Sequence, residues 1–168
     1  AVSYADAGVD IVAPSGMMDG MVSGIRSALD ESNHGLVSIM SYAVKYASAF
    51  YGPFRDAAGS GDGFHGDRKH HQMQPAQRQE AIREAELDVL EGADFLIVKP
   101  ASIYQDIIRD IVETVDVPVV AYHVSGEYAM IKAAAAQGIV DETEAFDEVH
   151  LGLKRSGVSK IISYTRSL

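Results

Sequence analysis

The chain contains no cysteine, so disulfides, thiolate metal sites and a cysteine nucleophile are excluded from its 168 residues. No run of about 18 apolar residues occurs, which excludes a membrane-spanning helix. Basic residues are scarce. Fourteen Lys and Arg against 24 Asp and Glu leave a formal charge of −10, a poor basis for a surface that neutralises nucleic-acid phosphates. The start also lacks familiar features: the first residue is Ala1, and neither the charged nor the apolar region of a secretory signal follows it. What is present is a globular composition, 47% hydrophobic and 23% charged, which argues against disorder.

One phrase recurs along the chain. Val2-Ser3-Tyr4-Ala5-Asp6-Ala7-Gly8 reads as the end of a helix closed by glycine, and Val9-Asp10-Ile11-Val12-Ala13-Pro14 follows as a short buried strand. Gly92-Ala93-Asp94 leads in the same way into Phe95-Leu96-Ile97-Val98, and Gly157-Val158-Ser159-Lys160 into Ile161-Ile162-Ser163-Tyr164. Residues 36–42 and 117–122 supply two more strands. Helices separate them: Met21, Val22, Ile25 and Leu29 share one face, as do Ile103, Ile107, Ile108, Ile111 and Val115, with Tyr104 on the first turn of that later helix. Residues 76–90 and 126–137 read as two further helices, and Asp141 with Glu144 as a capping box for the last one.

Strands alternating with helices predict an α/β fold with parallel pairing and right-handed crossovers. A closed (β/α)8 barrel needs about 250 residues. Five βα units therefore read as a partial TIM barrel, about strands 4 to 8 with their helices, and residues 1–168 as the carboxyl-terminal part of one catalytic domain. Residues 50–75 break the rhythm with glycines at 52, 59, 61, 63 and 66 and no periodicity. A loop this long, placed just after a strand's carboxyl end, is expected to be an active-site lid. Its His65, His70 and His71 read as solvated lid residues rather than metal ligands, and His34 and His150 as surface residues.

Two lysines stand out. Lys99 closes the run Phe95-Leu96-Ile97-Val98, and Lys45 lies just after the strand that ends near Tyr42. Each taken alone also fits a solvated strand end or a structural ion pair. As a pair on neighbouring strands about 4.8 Å apart they would project from one rim and depress each other's pKa. A neutral amine attacks a ketone to form a Schiff base, so lysine-based carbonyl chemistry is the specific expectation.

The segments around these lysines resemble the porphobilinogen synthase (5-aminolevulinate dehydratase) family. Those segments are Ala13-Pro14-Ser15-Gly16-Met17-Met18-Asp19-Gly20, Ser41-Tyr42-Ala43-Val44-Lys45-Tyr46-Ala47-Ser48, Phe50-Tyr51-Gly52-Pro53-Phe54-Arg55-Asp56-Ala57, Val98-Lys99-Pro100, Tyr122-His123-Val124-Ser125-Gly126-Glu127-Tyr128-Ala129-Met130 and Ile161-Ile162-Ser163-Tyr164. The resemblance covers the carboxyl-terminal half of the family's chain. It implies a cytoplasmic hydro-lyase of heme biosynthesis, usually a homo-octamer, that condenses two 5-aminolevulinate molecules into porphobilinogen. By position, Lys99 matches the lysine that holds the propionate-side substrate as an imine, and Lys45 the lysine that holds the acetate-side substrate. Arg55, Arg68 and Gln72 match lid residues that grip one substrate carboxylate, and Ser125 and Tyr164 match the pair that hydrogen-bonds the other. Glu84 matches a glutamate that supports an allosteric magnesium through water, whereas the family's active-site zinc loop lies upstream of every residue here. Gly16 and Met21 depart from the family's usual aspartate and arginine, at positions expected near subunit contacts. Two rival readings stand beside this one. The first is a catalytically inactive half-barrel that self-associates or pairs with an amino-terminal half. The second is a lysine aldolase of another family, with one essential lysine instead of two.

Overall fold

The computed structural model describes residues 1–53 and 71–165. Five strands, β1 (Ile11–Val12), β2 (Ser38–Lys45), β3 (Phe95–Lys99), β4 (Val119–Tyr122) and β5 (Lys160–Ile162), form one sheet in sequence order with every pairing parallel. Among the described residues the helices are α1 (Val2–Asp6), α2 (Met21–Glu31), α3 (Arg78–Leu90), α4 (Gln105–Thr114), α5 (Ser125–Ala136) and α6 (Glu142–Arg155), and a 3-10 turn, Ala49–Tyr51, follows β2. A strand order that never reverses direction distinguishes this sheet from a doubly wound fold. It is a partial TIM barrel, as the recurrent helix–glycine–strand phrase predicts. Gly92 and Gly157, which end two of those phrases, both have φ of 102°, a backbone conformation that glycine adopts without cost.

The two faces of the sheet have separate roles. Ile39, Ala43, Val44, Leu96, Val98, Val119 and Ala121 join Val22, Leu29, Ala81, Ala85, Ile107, Ile108, Ile111 and Leu153 in one buried cluster between sheet and helices. The strand residues that alternate with them, Tyr42, Lys45, Lys99 and Tyr122 among them, therefore point to the opposite, concave face. Asp94 locks the start of β3 to β2: its carboxylate accepts from the Ile39 amide at 2.8 Å, and its own amide donates to the Ile39 carbonyl at 2.9 Å. Asp141 caps α6 as expected, accepting from the Glu144 amide at 2.9 Å.

Several expectations need correction. β2 does not end near Tyr42 but runs on to Lys45, which is its last residue. Tyr104 precedes the first turn of α4 as its cap residue. His150 is not a surface residue. It is buried in α6, its ring edge-on to that of His123 at 5.4 Å, because α6 turns this position toward the sheet. His34 stays at the surface, with Nε2 2.8 Å from a carboxylate oxygen of exposed Asp6.

The His123–His150 contact makes a stability prediction. His123 is fully buried, Nδ1 lies 3.2 Å from the Ser163 hydroxyl oxygen, and burial, then the neighbouring His150, push its pKa down to about 4. Below the ordinary histidine value of about 6.5 the unfolded chain takes up a proton that the folded chain refuses. Stability should thus be fully present above that value and fall by about 3 kcal/mol as pH drops to about 4. Urea unfolding across this range should show the decline, and His123→Gln should flatten it; an unchanged slope in that variant would contradict the assignment.

Candidate functional site

Pairing between β2 and β3 starts one-to-one, Met40 with Phe95 and Ser41 with Leu96, and resumes with Val44 opposite Val98 and Lys45 opposite Lys99. Two residues of β2, Tyr42 and Ala43, thus stand against Ile97 alone. This bulge explains why Ala43 and Val44, though consecutive, both lie in the helix-side core. It also returns Lys45 to the concave face beside Lys99. Without the extra residue Val44 would meet Lys99 and Lys45 would fall out of register with it. The Lys99 carbonyl accepts from the Tyr46 amide at 2.9 Å, so the ladder holds one residue beyond the lysine pair.

The surroundings of the two amines differ. Lys45 Nζ donates to the Ser15 carbonyl at 3.2 Å and approaches the Ser15 hydroxyl at 3.4 Å. Lys99 Nζ lies over three tyrosine rings, 4.4 Å from the centroid of Tyr122, 5.3 Å from Tyr51 and 5.4 Å from Tyr42. Burial, then the charge on Lys45, lowers the Lys99 pKa from 10.5 to about 8. The ring faces attract the ammonium form. Roughly a tenth of Lys99 is then free amine at neutral pH, against less than about a thousandth of an ordinary lysine. Tyr51 is fixed from behind, its hydroxyl donating to the Tyr46 carbonyl at 2.8 Å and reaching the Lys99 carbonyl at 3.2 Å.

A second wall comes from the start of α5. Ser125 opens this helix, and its hydroxyl oxygen is out of solvent with no hydrogen-bond partner among the described residues. Glu127 ties this helix start to the loop after Lys99: one carboxylate oxygen accepts from the Ser102 amide and the other from the Val124 amide, both at 2.8 Å. Burial pushes the Glu127 carboxyl up despite those hydrogen bonds. Gly126 lets the 3-10 turn after β2 dock here, because a Cβ at that position would lie 2.3 Å from the Phe50 carbonyl oxygen. Tyr164, just past β5, packs at 5.8 Å on Tyr128 and stands beside Tyr122, whose hydroxyl is raised by burial first and then by Tyr164. Lys45, Lys99, Ser125 and Tyr164 therefore belong to the carboxyl-end rim of the sheet.

The other expected residues fall elsewhere. Arg55 and Arg68 lie outside the described residues, as do His65, His70 and most of the segment 50–75 expected to form a lid. Gln72 is placed beside Met73, whose amide donates to the Lys45 carbonyl at 3.0 Å, so the chain is back at the lysine rim by residue 73. His71 is exposed. Glu84 sits on α3, its carboxyl pushed up by burial and by Asp19, Asp88 and Glu80. No three acidic or histidine side chains among the described residues converge closely enough to hold a metal, so this donor set does not fit a directly liganded ion. Gly16 and Met21, the two departures from the family pattern, are neighbours: a Cβ on Gly16 would lie 2.9 Å from the Met21 sulfur. The three tyrosines around Lys99 were not singled out from sequence. Tyr42 and Tyr122 occupy concave-face positions near strand ends, a signal that alternation carries; the bulge leaves no such trace.

A family model for delta-aminolevulinic acid dehydratase matches residues 1–167. A delta-aminolevulinic acid dehydratase of Halalkalibacterium halodurans is 60% identical over 164 residues, 98% of this chain and 50% of that protein. One from Staphylococcus aureus is 55% identical over 168 residues, 100% of this chain and 52% of that protein. The chain thus spans about half the length of the curated relatives it matches. Among solved structures, delta-aminolevulinic acid dehydratase (porphobilinogen synthase) from Toxoplasma gondii ME49, in complex with the reaction product porphobilinogen, superposes with a TM-score of 0.93 at 49% identity. That match covers 97% of this chain and 46% of the other.

The lysine geometry yields a direct prediction. Acylation by an amine-selective reagent, resolved by peptide mass spectrometry, should titrate Lys99 with a midpoint of about 8, and Lys45→Met should raise it. A midpoint at the ordinary 10.5 would contradict the described environment.

Proposed function

The chain belongs to the delta-aminolevulinic acid dehydratase family, and from that premise we propose that the protein condenses two molecules of 5-aminolevulinate into porphobilinogen with loss of water. The observation that carries this reading is the register pairing of Lys45 with Lys99 on one face of the sheet, with the Lys99 amine held partly neutral. The Lys99 amine attacks the ketone carbon of one substrate, a C=N bond forms and the carbonyl oxygen leaves as water. Lys45 does the same for the second. The protonated imine then withdraws electrons from the adjacent carbon, which makes carbon–carbon bond formation an aldol-type step. Lys99 takes the substrate that becomes the propionate side and Lys45 the one that becomes the acetate side.

The remaining roles follow the same logic. The unpartnered Ser125 hydroxyl at the start of a 12-residue helix suits a substrate carboxylate, with the Tyr164 hydroxyl as its second donor. Arg55, Arg68 and Gln72, on the lid at 50–75, grip the other carboxylate; guanidinium forks suit that group, and closure excludes water. Glu84 contributes to magnesium binding only through water, and an active-site zinc needs donors outside these residues. The working protein is a cytoplasmic homo-oligomer, an octamer as in the family; no helix among the described residues is long and apolar enough to cross a membrane.

Borohydride reduction in the presence of 5-aminolevulinate tests the reading. Peptide mapping should place substrate mass on Lys99, with Lys99→Met abolishing turnover by about a thousandfold or more and Lys45→Met removing the second adduct. An adduct unaffected by Lys45→Met, with activity intact, would favour a one-lysine aldolase. No adduct at all would favour the inactive half-barrel.

A further inference from the structure

Tyr42, at the bulge in β2, presents its ring to both lysines. The Tyr42 ring centroid is 5.4 Å from Lys99 Nζ and 5.9 Å from Lys45 Nζ, both within the range where a cation is attracted to an aromatic face. Tyr122 lies over only one of these amines by the distances above, and so does Tyr51. On the side toward β4, Tyr42 meets the Tyr122 ring at 6.3 Å with a 48° tilt, so the Tyr42 ring is held by a second ring as well as by its strand. Burial, then Tyr164, pushes the Tyr42 hydroxyl up, which keeps it a neutral phenol at working pH.

We propose that Tyr42 is a positioning residue for both lysines, its single ring shared between the two ammonium groups and governing how positive charge divides between them. Among the described residues, the titratable groups that face it are Lys45 from its own strand, Lys99 from β3, Tyr122 from β4, Tyr164 from beyond β5, and Tyr51 across Lys99 from the 3-10 turn. The inference rests on the two-lysine reading above for its consequence: a protonated imine is also a cation, so the same ring stabilises whichever amine has become iminium. Two cations drawing on one ring are coupled. Neutralising one leaves the ring's attraction to the other, so the first amine to lose its proton favours retention of the proton by its neighbour.

A size-matched aromatic series at position 42 tests this in the intact protein. Tyr42→Phe keeps the ring, and phenylalanines carrying one to several fluorines keep its shape while draining the negative charge from its face. The readout is the pH midpoint of acylation of Lys45 and of Lys99, resolved by peptide mass spectrometry without substrate. We expect Tyr42→Phe to leave both midpoints nearly unchanged and progressive fluorination to lower both, by roughly half a pH unit across the series. Midpoints that stay fixed through the series, or that fall at Tyr42→Phe and fall no further, would overturn the proposal. Equal thermal unfolding temperatures across the series separate this effect from loss of fold. Because no substrate is present, a failed borohydride adduct with moving midpoints overturns the condensation reading alone, whereas a normal adduct with fixed midpoints overturns this inference alone.

Discussion

Parallel pairing of β2 with β3 runs one-to-one as far as Ser41 and Leu96, gains one residue in β2, and then brings Val44 to Val98 and Lys45 to Lys99. Because side chains alternate between the faces of a strand, that one residue decides whether Lys45 shares a surface with Lys99 or is buried against the helices. The cost of the bulge is local, since the next ladder bond is already restored from the Tyr46 amide to the Lys99 carbonyl. The hydrophobic core accepts it because Ala43 is small and Val44 packs on the same side. The remaining features of the rim are arranged around this register.

Two ammonium groups on adjacent strand ends repel, and burial of one worsens the balance. The structure offsets this without neutralising Lys99 completely. Ser15 accepts from Lys45, while the faces of Tyr42, Tyr51 and Tyr122 surround Lys99. Burial nonetheless wins at Lys99, whose pKa falls to about 8. A site that held this lysine fully charged would form imines poorly; one that held it fully neutral would lose its attraction for carboxylate groups. Gly126 and Glu127 then fix the second wall, the first by allowing the turn at Phe50 to approach and the second by joining the start of α5 to the loop after Lys99.

Much of this was legible in the sequence, for reasons that differ by level. The helix–glycine–strand phrase gave three of the five parallel strands and short apolar runs the other two, because a parallel sheet covered on one side by helices needs such runs and glycine at the turn. The apolar face of α4, with Ile107, Ile108 and Ile111 buried, follows the same rule. The importance of Lys99 showed because an ammonium ends a buried run. That Lys45 lies inside β2 rather than after it was not legible, since strict alternation would put Lys45 on the buried face with Ala43, and a bulge depends on the partner strand. The burial of His150 was missed for a similar reason: a histidine on an acidic helix reads as solvated until His123 is known to face it across the sheet–helix layer.

Lys45 and Lys99 stand side by side on the concave face because of the β2 register. Formaldehyde joins two amines by a single methylene bridge only when they are in near contact. Brief treatment of the native protein followed by peptide mass spectrometry should yield a bridged Lys45–Lys99 pair, and deletion of Ala43 from the bulge should abolish it. Absence of that bridge in the native protein, or its persistence after the deletion, would contradict the account.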